Sequence, residues 1–220
     1  MFEGFSPEAF DFLWGIRFNN NKTWFEENKK TYTDRLYQPM KQLAAEVFEP
    51  FEKMPGMLCK VSRIYRDARL PGYAERPYKD SLWFCIRREC LSWSEHPALF
   101  FEIAPEGCTY GFGLVHPKAD TMAAFRAQIA EQPREFLSIV KKLERSTDIR
   151  VGGEEYYRKK GACAPELERF YNLKNVSAWR ELPPGPELFT PELSAKVRET
   201  LTALTPLYSF FLRFTERPLG

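Results

Sequence analysis

The chain has 220 residues, 44% of them hydrophobic, and its 32 Lys and Arg against 30 Asp and Glu leave a net charge of +2. That much apolar material suffices for a full-sized core and excludes a disordered chain. The longest apolar runs, such as LSWSEHPALFFEIAP, are broken by Glu, His and Pro short of the ~20 residues a membrane helix needs, so no spanning segment is expected. The N-terminus MFEGFSPEAF carries an acid where a secretory signal would carry bases before an apolar block, so a protein that stays in the cytoplasm is expected. Five cysteines, an odd number without a CxxC pair, argue against a disulfide framework and a zinc ribbon. They read as small buried hydrophobes.

In chain order, Ser6, Pro7 and Glu8 read as N-cap, first-turn proline and an acid suited to the helix dipole, with Ala9, Phe10, Leu13, Trp14 and Phe18 as the apolar face. After Asn19-Asn20-Asn21, Thr23 and Glu26 have the spacing of a capping box for a second helix, with Trp24 and Phe25 in its first turn. Pro39 lacks an N–H and clashes with the preceding turn, so a kink or restart is expected there. Met40, Leu43, Val47 and Phe51 then share one side, and Pro55-Gly56 closes the helical third.

Beyond Gly56 the period changes. CKVSRIYRD, SLWFCIRR, ALFFEIA and CTYGFGLV are short, rich in β-branched or aromatic residues and separated by turn residues, which predicts strands near 60 to 67, 82 to 89, 98 to 104 and 108 to 115. Connections this short make the pairing antiparallel, because a parallel return needs a crossover of a dozen or more residues. The 68 to 81 connection is the long one, and long loops in compact domains are usually functional or mobile. In the fourth strand Tyr110, Phe112 and Leu114 share a face while Gly111 and Gly113 leave the other bare, for a closely packed helix backbone or for a ligand.

Helical spacing returns in KADTMAAFRAQIAEQ and, after Pro133, in REFLSIVKKLER, where Phe136, Ile139, Val140 and Leu143 form an apolar stripe. GGEEYYRKKG reads as an edge strand or a loop, Ala164-Pro165-Glu166 opens a short helix, and NVSAWREL offers one more strand. Thr190 and Pro191 start a last helix with Leu193, Val197, Leu201 and Leu204 facing the core, kinked at Pro206 before LYSFFLRF. No repeat or linker composition appears, so residues 1 to 220 read as a single α+β domain with a central antiparallel sheet packed by N-terminal and C-terminal helices.

The chemistry concentrates between Lys60 and Arg88. Eight bases and three acids give that window +5, so the rest of the chain sums to −3. Arg63, Arg66 and Arg69 offer planar forks of donors beside Lys79 and the Tyr78 hydroxyl, a plausible seat for a phosphate or carboxylate. In an extended segment Arg63, Tyr65 and Asp67 point one way and Arg66 the other, so not every arginine reaches one ligand. The candidate binding set is therefore Arg63, Arg66, Asp67, Arg69, Tyr78 and Lys79, with a phosphorylated or other anionic small molecule as the partner. A salt-bridge network pinning the long loop onto the sheet accounts for the same charges. The chain is then a non-catalytic interaction module for a protein or nucleic-acid partner. His96 and His116 both precede proline, outside HExxH and away from spaced acids, so no metal site is expected. No GxSxG, P-loop or GxGxxG occurs, so neither a catalytic residue nor a cofactor is assigned. Tyr156, Tyr157, Arg158, Lys159 and Lys160 combine rings and charge as a single-strand nucleic-acid surface would, and as a solvated edge would.

PEAFDFL, the Asn20-to-Phe25 segment, RIYRDARL, RPYK and LTPLYSFF together resemble the microbial family known as domain of unknown function 2461, over essentially the whole chain. Arg63, Ile64, Arg66, Asp67 and Arg69 match the first half of that family's central motif, and Pro77, Tyr78 and Lys79 the end of its second half. Leu70 stands where an aromatic is usual, and Ala74-Glu75-Arg76 replaces an Asp-Lys pair. The resemblance implies an α+β fold and a bacterial-type cytoplasmic protein, and it implies no activity.

Overall fold

The computed structural model describes residues 1–67, 69, 75–90 and 95–215. Residue 68 and residues 70–74 of the long connection, Leu70 and Ala74 among them, lie outside the described residues. Five strands, β1 (Met57–Val61), β2 (Leu82–Arg88), β3 (Ala98–Ala104), β4 (Gly107–Leu114) and β5 (Val176–Leu182), form one antiparallel sheet in the order β1-β2-β3-β4-β5. The fold is α+β, and no helix among the described residues is long and apolar enough to cross a membrane. The chain divides into two compact units, Met1–Ile86 with Phe100–Tyr110 and Glu181–Glu199, and Arg87–Leu99 with Gly111–Arg180 and Thr200–Gly220.

In the first unit, α1 (Pro7–Phe18) starts from an extended Ser6 and buries Ala9, Phe10, Phe12, Leu13 and Ile16. Trp14 and Phe18, expected on the core face, are 40% and 75% exposed. Phe12 and Ile16 take that face instead, because Phe12 packs against Trp24 and Phe25 of the next helix. That helix, α2 (Lys22–Thr31), is capped by Asn21 and not by Thr23: the Trp24 amide donates to Asn21 Oδ1 at 3.0 Å. Asn caps as well as Ser or Thr, and here it stands two positions earlier. The strain expected at Pro39 is relieved upstream, where Tyr32–Tyr37 widens into a π-helical turn before α3 (Gln38–Phe48). Met40, Leu43, Val47 and Phe51 are all buried. Gly56, at a φ of 73°, makes the left-handed turn into β1. Phe84, Phe101 and Tyr110 line up on one sheet face, with centroids 5.6 and 6.2 Å apart, and Phe5 stacks on Phe101.

The second unit centres on phenylalanines of β4 and of three helices, α4 (Ala119–Glu131), α5 (Pro133–Ser146) and α8 (Thr205–Thr215). Phe112 meets Phe211 at 5.2 Å, Phe125 stacks on Phe211 at 5.0 Å, and Phe136 contacts Phe210 at 5.3 Å. Phe136 also meets Phe170 of the one-turn α6 (Glu168–Tyr171) edge-on at 4.9 Å. Helix α7 (Glu192–Ala203) belongs to the first unit as far as Glu199 and ends just before Pro206; Leu193, Val197, Leu201 and Leu204 are fully buried. A Cβ on Gly111 would overlap the Ala178 carbonyl and Trp179. The bare face of β4 is thus filled there by its neighbouring strand β5, not by a helix. The segment GGEEYYRKKG is a loop with single antiparallel bridges, Gly152 to Ser177 and Glu155 to Leu173.

Candidate functional site

The charged segment lies in the first unit up to Ile86, and its backbone path decides what each side chain can reach. The strand expected over 60 to 67 ends at Val61. Beyond Ser62 the chain pairs with its own return: the Arg66 amide donates to the Pro77 carbonyl and the Lys79 amide to the Ile64 carbonyl, both at 2.8 Å, and Tyr65 bridges Tyr78. Extended backbone keeps the alternation. Ser62 and Ile64 are buried, Arg63, Tyr65 and Asp67 are exposed, and Arg66 is half-buried.

Two devices fix this hairpin. Tyr78 is 4% exposed, with its ring stacked on Phe25 at 4.3 Å and Tyr65 edge-on to the same ring at 5.6 Å. Asn20 receives the Tyr78 amide at 3.0 Å and donates to the Tyr78 carbonyl at 2.9 Å, imitating one rung of a strand ladder.

Around that rung the charges close on one another. Arg66 Nε donates to the Tyr78 carbonyl at 2.9 Å, and its terminal nitrogen lies 3.5 Å from Asp80. Arg17, at the end of α1, donates Nε to the other Asp80 oxygen at 2.6 Å and turns the rest of its fork onto Glu106. Arg76 donates to the Arg17 carbonyl at 3.1 Å. Burial pushes the Asp80 carboxyl up, but the Arg17 hydrogen bond and the charges of Arg17 and Arg66 outweigh it and hold Asp80 below the usual carboxylate range. The Glu106 carboxyl is lowered chiefly by its hydrogen bond from Arg17. Lys79 donates to the Arg63 carbonyl and stands 5.6 Å above the Trp83 ring. Burial first, and then the Arg66 charge, lower its pKa against the pull of Glu102.

Asp67 and Arg69 take each other, through contacts of 2.9 and 2.6 Å, and the hydrogen bond from Arg69 brings the Asp67 carboxyl down to about 2. Of the six residues singled out from sequence, Arg66 and Tyr78 join one network, Lys79 turns beside it to the Arg63 carbonyl and the Trp83 ring, and Asp67 with Arg69 forms a separate exposed pair. Arg63 contributes a backbone carbonyl, and its exposed guanidinium has no partner among the described residues. Four residues that complete the network escaped the sequence analysis: Arg17, Asn20, Asp80 and Glu106. Asp80 sat inside the basic window, and only its distance from the arginines in sequence hid its role.

Farther along, in the second unit, Arg87 is 7% exposed; it donates to the Arg88 carbonyl at 2.8 Å and to Cys90 Sγ at 3.2 Å, and its Nε is unsatisfied. The five cysteines are free, Cys85 and Cys108 being buried and Cys59, Cys90 and Cys163 partly so. Among the described residues no group of three or more His, Cys, Asp or Glu side chains could hold a metal ion.

Compared with known proteins, residues 8–210 match one family model, described as a conserved hypothetical protein (DUF2461). No curated protein matches the chain.

Proposed function

The chain belongs to the domain of unknown function 2461 family, a description that carries no activity, and we propose that it is a cytoplasmic interaction module whose 60 to 88 charge cluster holds the fold while exposed faces recruit a macromolecular partner. One observation carries this reading: Arg17 and Arg66 converge on Asp80, and Arg69 closes on Asp67, so these arginines are occupied by carboxylates within the chain. A bound phosphate would have to displace those carboxylates, each held by a charge-assisted hydrogen bond. Among the exposed side chains beside the network are three aromatic ones, Trp14, Phe18 and Tyr65, with the Arg17 guanidinium 5.0 Å above the Trp14 ring. Rings and arginines are the side chains that anchor protein interfaces. Five free thiols accord with a reducing compartment.

A second reading rests on Arg63, whose exposed fork has no partner among the described residues and suits a phosphorylated or other small anion. Thermal melts with inorganic phosphate, nucleotides and sugar phosphates separate the two, because a ligand of the native state raises the melting temperature. The interaction module predicts no shift with any of them and a clear loss of stability in Arg66→Ala. A phosphorylated compound that raises the melting temperature of the wild type but not of Arg63→Ala would replace it with the anion site.

A further inference from the structure

The proposal that follows rests on the interaction-module reading and names the partner for a different face. Helix α5, in the second unit, buries Phe136, Val140 and Leu143. Its opposite face carries Arg134, Lys141, Lys142 and Arg145, all exposed, along a groove of about 620 Å³ that Leu137, Ser138 and Ser146 complete. A second groove of about 470 Å³ shares Lys141 and Arg145 and adds Arg150, with the acids Glu144 and Asp148 also in its lining.

The acids on this stretch are already taken. Arg169 holds Glu144, Arg180 contacts Asp148 at 3.3 Å, and Arg213 grips Glu135 at 2.6 and 2.8 Å. Among the described residues Arg134, Lys141, Lys142, Arg145 and Arg150 form no ion pair with any carboxylate of the chain. In a chain of net charge +2, these five cations, against Glu144 and Asp148 in the same grooves, are a local excess of positive charge. From Arg134 to Arg145 the helix rises about 16 Å, and Lys141 and Arg145 sit about one turn apart, so the charges form a row and not a point.

A row of positive charge along an open groove fits an extended polyanion better than a compact one. Ser138, between the cations, adds a neutral donor of the kind that holds phosphate oxygens. We propose that the α5 groove binds nucleic acid through its phosphodiester backbone, without base readout. The Tyr156 to Lys160 strip, which combined rings and bases in sequence, is a weaker candidate, because Lys159 is bonded to Glu168 and Lys160 lies over the Tyr156 ring.

Fluorescence anisotropy with a mixed-sequence labelled 20-mer, single- and double-stranded, tests this at salt concentrations from about 50 to 200 mM, over which phosphate contacts weaken steeply. Wild type should bind both forms. With four to five contacts the log–log salt slope on duplex should be about −4, since each neutralised phosphate adds roughly −0.9. Lys141→Gln with Arg145→Gln should shrink that slope by about 2 and weaken low-salt binding about tenfold or more, with an unchanged melting temperature as the check on folding. Lys141→Arg should bind like wild type. No binding at the lowest salt, or an unchanged slope in the double variant, would overturn the proposal. Equal or tighter binding of a poly-glutamate peptide would also overturn it, in favour of an acidic protein partner, and would leave the interaction module standing. A small phosphate ligand whose stabilisation is lost in Arg63→Ala would instead remove the module itself.

Discussion

Asp80 receives two guanidinium groups, one on each oxygen, and its side chain is only 26% exposed. Taking it away removes the Arg17 Nε hydrogen bond and the Arg66 ion pair together. Asp80→Asn is therefore expected to lower the unfolding free energy by about 1 to 3 kcal/mol. The pH dependence follows from the same contacts. Asp80 and Glu106 both have folded-state pKa values below their ordinary ones. Their contribution is thus complete above the ordinary carboxylate values near pH 4 and is lost as the pH falls through the lower, folded-state values. Urea melts from about pH 5 down to pH 3 should show wild type losing more stability than Asp80→Asn over that window. Parallel losses would mean that other carboxylates govern acid sensitivity.

At the scale of elements, helical spacing alone placed the α7 stripe correctly, and Leu201 is fully buried. Leu201→Ala should cost about 2 to 5 kcal/mol, measured by chemical denaturation, and a change below about 0.5 kcal/mol would show that the site behaves as surface. The strands β2, β3 and β4 were legible for the same reason: alternation and flanking turn residues are local signals. Where neighbours decide, sequence said less. Trp14 and Phe18 fall at helical spacing, yet the ring contacts of Phe12 with Trp24 and Phe25 rotate α1 so that the pair stacks in the open at 5.7 Å. The early end of β1 has the same origin, since residues 64 to 66 find a closer partner in 77 to 79 than any sheet strand. The basic face of α5 was written in the sequence throughout; it went unread because the apolar stripe answered the question of where the helix packs.

Over the whole molecule, the excess charge of the 60 to 88 window was visible from composition, but its disposition was not. Arg17 lies 63 positions from Asp80 and 89 from Glu106, and a single sequence carries no signal for a pair that distant. Of the two sequence readings, an anion seat and a salt-bridge network, the Arg17 contacts carry the second: they tie the end of α1 to the return segment and to the β3–β4 turn. The open basic surface lies elsewhere, on α5. That division of charge, structural in one unit and available in the other, is what the proposed function stands on. The Arg17–Asp80 contact tests it most directly, in a double-mutant cycle of Arg17→Met and Asp80→Asn followed by urea unfolding. A structural tie predicts a coupling free energy of about 0.5 to 3 kcal/mol. Additive effects within about 0.3 kcal/mol would contradict it and return these arginines to the pool available for a ligand.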